Sequence, residues 1–349
     1  MKKKLMLAMS GGVDSSAALV LLTQNYDVIG ATLALSDRDS SADIADARAV
    51  AERFGVPHYV FEMRQLFKRR VIDYFTGTYL AGGTPNPCVQ CNKYIKFGAL
   101  LDEADRLGCE YFSTGHYARV EFDEASGRYL LKKALCDGEP NPKDQSYVLY
   151  NLTQEQLKRI ILPLGNMNKN QVRALADSAG LVNSKKSDSQ DICFIPDGDY
   201  AGFICRCTGG KPACGSFIDA DGNILGTHRG LIHYTIGQRK GLGISFGKPM
   251  FVVDKNAESN TVTLGGSEAL MRRSLTARDV NYIAFEELCA PLPCKAKTRY
   301  SQKEQPCTVT PLADGRARVD FDEPQRAVTK GQSVVFYQGD TVLGGGIIE

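Results

Sequence analysis

The sequence predicts an α/β protein: a doubly wound parallel sheet followed by two small β-rich domains, the last a β-barrel. From residue 4 to 114, apolar strand-like runs alternate with helical patterns, the rhythm of a parallel sheet with helices on both faces. After about residue 200, Gly, Thr, Val and turn dipeptides take over and short strand-like runs follow one another closely. The length, 349 residues, also exceeds what one hydrophobic core usually supports.

In chain order, strands are expected at 5–9, 28–35, 58–62 and 110–114, with helices between them at 42–54 and 97–107. A hairpin follows, its arms at 118–122 and 129–135 joined through Glu124-Ala125-Ser126-Gly127, and helical patterns return at 154–160 and 169–179. Later strands are expected at 216–218, 250–253, 261–264, 295–300, 307–311, 317–321 and 333–337. The domains this implies are 1–205, 206–272 and 273–349.

Composition is that of a soluble globular chain, 43% hydrophobic and 23% charged. No apolar run approaches the roughly 20 residues of a membrane span, and Lys2-Lys3-Lys4 leads into a short strand, so a cytoplasmic location and no membrane partner are expected. The 11 cysteines are too sparse for a disulfide scaffold, so clustered thiols point to metal or sulfur chemistry. A net charge of +2 decides nothing about nucleic acid. Basic clusters at 68–70, 132–133, 185–186, 272–273 and 295–299 read singly as solvated faces, informative only if they converge.

Two segments carry chemistry. Ser10-Gly11-Gly12-Val13-Asp14-Ser15-Ser16 joins the apolar run at 5–9 to a helical pattern, so its backbone N–H groups and helix dipole suit a phosphate. Asp14 is placed to orient a magnesium ion there. The loop lacks the Lys-Ser/Thr of a Walker motif and is not G-x-G-x-x-G. It resembles the SGGxDS pyrophosphate-binding loop of ATP pyrophosphatases. In the second segment, Thr84-Pro85-Asn86-Pro87 presents Cys88-x-x-Cys91 at a loop or the start of a helix, where a thiolate is stabilised. Cys193 follows in the polar stretch 187–194.

Taken with GHYAR at 115–119, KDQSYVL at 143–149, DSQDICFI at 188–195, YTIGQRKGLGI at 234–244 and FDEPQRAVTKGQ at 321–332, these motifs resemble the bacterial tRNA-specific 2-thiouridylases from about residue 3 to the C-terminus. The resemblance implies an adenine nucleotide α-hydrolase-like fold and ATP-dependent adenylation of the 2-oxygen of a wobble uridine, followed by sulfur delivery and loss of AMP. It implies ATP contacts at Ala8, Met9, Ser10, Gly11, Gly12, Val13, Asp14, Ser15, Leu33 and Gly115. Contacts to tRNA are implied at His116, Lys143, Asp144, Gln145, Arg299, Tyr300 and Gln332. Cys91 matches the nucleophile and Cys193 the cysteine that carries a persulfide or pairs with it. Partners are then tRNA and a sulfur donor such as a cysteine desulfurase or relay protein, and the enzyme is expected to act as a monomer.

One departure is Cys88, where many members of the family have Asp. A thiol replaces neither that charge nor its geometry at neutral pH. It does complete a set of three thiols, Cys88, Cys91 and Cys193. Two sulfur carriers fit that set: a 4Fe-4S cluster with one open iron, or persulfide chemistry on Cys91 and Cys193 with Cys88 auxiliary. Cys205, Cys207 and Cys214 read as inert or partly buried thiols, while Cys109, Cys136, Cys289, Cys294 and Cys307 read as packing residues. His58, His228 and His233 lack metal-ligand spacing. The Tyr234–Gly241 stretch reads as an RNA contact. The rival functions are an amidating synthetase, for which the three thiols have no task, and a non-catalytic RNA-binding protein, which leaves the phosphate loop unexplained.

Overall fold

The structure is a computed structural model describing residues 2–36, 40–184, 186, 192–244 and 247–349. Its first sheet has five parallel strands in the order His58–Glu62, Tyr26–Ala34, Lys3–Ala8, Tyr111–Ser113 and Ile160–Ile161. Leu5, Met6 and Leu7 are fully buried because both faces of the Lys3–Ala8 strand are covered. Strand order reverses at Lys3–Ala8, which pairs with Tyr26–Ala34 on one side and Tyr111–Ser113 on the other. A crevice therefore opens beyond the carboxyl ends of those strands, at residues 9–16 and 114–116.

Three features of this domain differ from expectation. The fifth strand, Ile160–Ile161, occupies the end of a segment read as helix, because the helix stops at Gln154–Leu157 and the chain pairs with Tyr111–Ser113. Helix over 97–107 begins earlier, as Pro87–Cys91, and continues through a π-helical stretch Asn92–Ala99 into Leu100–Arg106. The hairpin Ala118–Asp123 and Arg128–Lys133 joins the C-terminal sheet, through Lys132 opposite Thr341.

The central region folds as a four-stranded sheet ordered Ile224–His228, Gly215–Ile218, Thr261–Gly265 and Phe251–Asn256. Phe217, Tyr234, Val252 and Val262 fill its core. Tyr234, read as an RNA-facing ring, is a core residue packed edge-on to Phe217 and His228; Arg239 and Lys240 stay exposed. The last region is a closed antiparallel barrel. Its six strands run Met271–Tyr282, Ala317–Arg326, Gln305–Pro311, Leu292–Lys297, Ser333–Gln338 and Thr341–Ile348, and the last pairs back onto the first. The strand expected at 295–300 ends at Lys297, which leaves Arg299 and Tyr300 in the loop after it.

Among the cysteines, Cys109 and Cys307 are buried as expected. Cys207, Cys214 and Cys289 are exposed, since Cys207 falls on the open side of the Tyr200–Thr208 helix and the others lie outside strands. Among the described residues, no helix is long and apolar enough to cross a membrane.

Candidate active site

The phosphate loop is built as its glycines require. Gly11 has φ +69°, and a Cβ there would meet the Asp43 carbonyl oxygen at 2.4 Å. Gly12 caps the Val13–Leu22 helix in extended geometry without a side-chain cap, so the first N–H groups face the crevice. Ser15 Oγ accepts from Ser10 N at 3.1 Å and donates to Gly12 O at 3.1 Å, fixing the curl. Gly115 packs on this loop so closely that a Cβ would lie 2.9 Å from Ser15 N.

Asn183, which the sequence reading did not single out, and Lys186, read there only as part of a basic pair, hold the loop from behind. Asn183 Nδ2 donates to Gly11 O at 2.9 Å and Ser16 Oγ at 2.8 Å, and Lys186 bridges Asp43 and Asp46 at 2.8 and 2.7 Å. Asp14 Oδ1 accepts from Lys169 Nζ at 2.8 Å and Tyr117 Oη at 2.7 Å. Lys169 opens the Lys169–Ser178 helix, whose start Asn168 fixes in a capping box with Gln171. Magnesium usually binds through one or two carboxylates plus substrate phosphates. Asp14 fits that role only by exchanging its ammonium partner for the ion, and no further group of three His, Cys, Asp or Glu side chains suited to a metal exists among the described residues.

Cys88 lies in the first turn of the Pro87–Cys91 helix and is exposed; Cys91, one turn on, is buried. Burial pushes the Cys91 thiol up to about 12, opposed by the Lys96 ammonium and reinforced by Cys193 and Cys88. Lys96 lies in the π-helical stretch that follows Cys91 directly, near enough for its charge to act on the thiol. The same ammonium, after burial, holds His116 well below its ordinary value, so the imidazole is neutral. His116 is buried, its Nδ1 2.7 Å from Thr114 Oγ1 and its ring 5.8 Å from that of Phe97. Cys193 is exposed, but its neighbour Phe194 is held among Phe67, Phe75 and Phe203 at centroid distances of 5.6, 5.4 and 5.2 Å. Residues 187–191 of its motif lie outside the described residues. Ala8, Leu33 and Phe194 pack against one cluster that also contains Cys91 and Phe97, so the strand ends beside the 10–16 loop and the thiols share a core.

The three thiols are thus neighbours, yet they are not gathered as a metal ligand set among the described residues. Cys88 and Cys193 are exposed while Cys91 is buried, and the three do not form a ligand set among the described residues, so this arrangement does not fit the three-thiolate cluster expected as one alternative.

All three regions meet at the approach to Cys88. Thr84 N donates to Lys330 O at 2.8 Å, and Gln332 Nε2 donates to Thr84 O and Pro85 O at 3.1 and 3.2 Å. From the central region, Lys255 Nζ donates to Gly83 O at 3.3 Å and Tyr234 O at 2.8 Å. Beside this approach lies a recess of about 250 Å³ lined by Thr84, Arg299, Tyr300, Ser301 and Gln332. Arg299 donates to Ala327 O and Thr329 Oγ1 at 2.8 and 2.7 Å, and to Ile236 O of the central region at 3.3 Å. Its Nε and Thr84 Oγ1 are buried without a hydrogen-bond partner in this conformation. Tyr300 Oη donates to Asp144 O at 2.9 Å, and its hydroxyl is raised by burial, then Asp144 and Cys88. Asp144 accepts from Ala134 N and Ser146 N, while Gln145 pairs with the Tyr117 backbone; Lys143 is exposed. The sequence therefore named the recess residues singly, and the fold assembles Arg299, Tyr300 and Gln332 next to Cys88.

An α/β domain with a pyrophosphatase-type loop, followed by a small β domain and a closed barrel that together clamp a Cys-x-x-Cys helix, defines a three-part nucleotide-handling enzyme class. Three family models match it in order: a tRNA methyl transferase HUP domain over residues 3–197, a tRNA methyl transferase PRC-barrel domain over 202–266 and an aminomethyltransferase beta-barrel domain over 272–348. A tRNA-specific 2-thiouridylase MnmA of Clostridioides difficile (strain 630) is 51% identical over 360 residues, covering 100% of this chain and 99% of that protein. The protein of the same name from Acetivibrio thermocellus is 52% identical over 361 residues, covering 100% and 99%. The chain belongs to the tRNA-specific 2-thiouridylase family.

Proposed function

We propose that the protein is an ATP-dependent, AMP-forming tRNA-uridine 2-sulfurtransferase that acts on the wobble uridine of tRNA in the cytoplasm. The observation that carries this reading is the recess of Thr84, Arg299, Tyr300 and Gln332 beside Cys88, with two buried polar atoms awaiting partners. An everted uridine offers donors and acceptors for such atoms. The domains are assigned as 1–205 for adenylation, 206–272 and 273–349 for holding the RNA and the thiol approach.

In the first step the uridine 2-oxygen attacks the α-phosphorus of ATP, and pyrophosphate departs into the Ser10–Ser15 loop, whose preorganised N–H groups stabilise the charge. Asp14, Lys169 and the helix N-terminus set that field; magnesium, when bound, neutralises phosphate charge. In the second step sulfur reaches the activated carbon. Cys193, being exposed, receives a persulfide from a donor such as a cysteine desulfurase or relay protein. The terminal sulfur of that persulfide, deprotonated, attacks C2. Cys91 thiolate attacks Cys193 Sγ, the old S–S bond breaks toward the new C–S bond, and AMP leaves with the 2-oxygen. A Cys91–Cys193 disulfide remains for reduction by a cellular thiol, and one chain suffices for the cycle. An exposed Cys193 that a donor can reach, and the lack of a metal-ligand group at these thiols among the described residues, favour this persulfide route over a cluster, so no step is routed through iron.

The test is an anaerobic thiolation assay on wobble-uridine transcripts with Cys88, Cys91 and Cys193 each changed to Ser, following AMP and 2-thiouridine. Loss of thiouridine with AMP release retained in Cys193→Ser supports the reading. AMP release without tRNA favours an amidating enzyme, and no AMP at all a mere RNA binder. Stoichiometric iron and sulfide in anaerobically purified protein would replace the persulfide with the cluster.

A further inference from the structure

We propose that Cys294 and Cys307 are a redox-active thiol pair that closes into a disulfide and fastens the hairpin carrying Arg299 and Tyr300. The two residues are direct partners in the antiparallel ladder between Leu292–Lys297 and Gln305–Pro311. Their sulfurs lie 3.7 Å apart. Facing residues in such a ladder have Cα atoms roughly 4.5–5.5 Å apart, inside the range of about 4.4–6.8 Å that a disulfide spans. The register alone thus brings both backbones to bonding position, and a small side-chain rotation completes the approach.

The pair is asymmetric in a way that orders its chemistry. Cys307 is buried in the barrel core beside Val309 and Phe321, whereas Cys294 is half-buried and meets solvent. The hydrogen bond to Cys294, together with burial, raises the Cys307 thiol, and Cys294 is the sulfur that a reagent from solvent can reach. Cys294 thiolate attacks a low-molecular-weight disulfide such as oxidised glutathione, breaking its S–S bond and releasing one thiolate, which takes up the Cys307 proton. Cys307 thiolate then attacks the Cys294 sulfur and displaces the second glutathione thiolate, which takes up the proton Cys294 gave up. Two protein thiols are oxidised and one reagent disulfide is reduced to two thiols.

Residues 298–304 connect the two strands, so the new bond closes a loop around Arg299 and Tyr300. Closing it removes open conformations of the hairpin. A pair serving only to pack the core has no such reactivity, and this is what separates the two.

The experiment treats the full chain with oxidised glutathione and maps its peptides without reduction, with exposed Cys289 as the internal control for reagent. The expected result is a linked 294–307 peptide pair, lost in Cys294→Ser and reversed by dithiothreitol, with amide exchange over 298–304 slowed at least threefold. Recovery of Cys294 and Cys307 as free thiols after Cys289 has been glutathionylated overturns the proposal. So does a Cys294–glutathione adduct that never resolves, or a cross-link that leaves exchange over 298–304 unchanged.

Discussion

Gln332 of the barrel donates through Nε2 to the carbonyl oxygen of Thr84 at 3.1 Å, across 248 positions of sequence. With its second bond to Pro85 O and the Thr84 N to Lys330 O bond, it makes the barrel a support for the residues that lead into Cys88. Gln332→Ala leaves these carbonyls without their donor. A net hydrogen bond is worth about 0.5–1.5 kcal/mol, so kcat/KM for tRNA thiolation is expected to fall roughly tenfold. ATP binding, measured by calorimetry without tRNA, should stay within a factor of about two. Unchanged thiolation kinetics would show that the loop holds its shape without the barrel.

Lys169 and Asp14 form the ion pair at the mouth of the phosphate loop, the lysine side chain 13% and the aspartate 33% exposed. Lys169→Met leaves an uncompensated carboxylate beside the 10–16 loop proposed to hold the triphosphate. Half-buried pairs of this kind exceed the near-zero worth of surface pairs, and ATP affinity is expected to drop about tenfold. Lys169→Arg should recover part of it. Equal ATP affinity in Lys169→Met would remove Lys169 from the binding field.

How much of this was legible in the sequence depended on range. The strand at Leu5–Leu7 and the loop at 10–16 were legible because both signals are local: an apolar run, then glycines at the turn where Gly11 needs φ +69°. The recess was not, since Thr84 and Arg299 meet only when the barrel closes. Lys169 was hidden because a lysine opening a polar helix reads as solvated until the helix is seen to start beside Asp14. Tyr234 erred the other way: its cationic neighbours Arg239 and Lys240 suggested RNA, but the ring is what the small central sheet needs for a core.

Cys91 has its thiol pushed up to about 12, chiefly by burial. The thiolate is the reactive form, so its fraction rises about tenfold per pH unit below that value. Alkylation of Cys91 by iodoacetamide, followed by peptide mass spectrometry, should climb about a hundredfold between pH 7 and 9. Lys96 is the one cation opposing the rise among the described residues, and Lys96→Met should slow Cys91 alkylation severalfold at every pH. A pH-independent rate would mean that access, not ionisation, limits the thiol.

Lys255 is a buried ammonium whose two bonds run to backbone carbonyls, Gly83 O and Tyr234 O, with the Tyr79 ring 5.9 Å away. Burial lowers it from 10.5 to about 8, against a smaller opposing effect of Asp254. The unfolded chain therefore binds more protons than the folded one between pH 8 and 10.5, and stability rises with pH across that window. Below pH 8 the full penalty, on the order of 3 kcal/mol, is present; above 10.5 it is gone. Lys255→Met removes the titration but also the donor to both carbonyls, so its stability at one pH is ambiguous. The difference between the two proteins across pH is not. Urea midpoints taken from pH 7 to 10.5 should show the native chain gaining on Lys255→Met by about 2–3 kcal/mol, since all other titrating groups are shared. Parallel curves would mean that Lys255 keeps an ordinary affinity for its proton, and that the clamp on Gly83 is insensitive to pH.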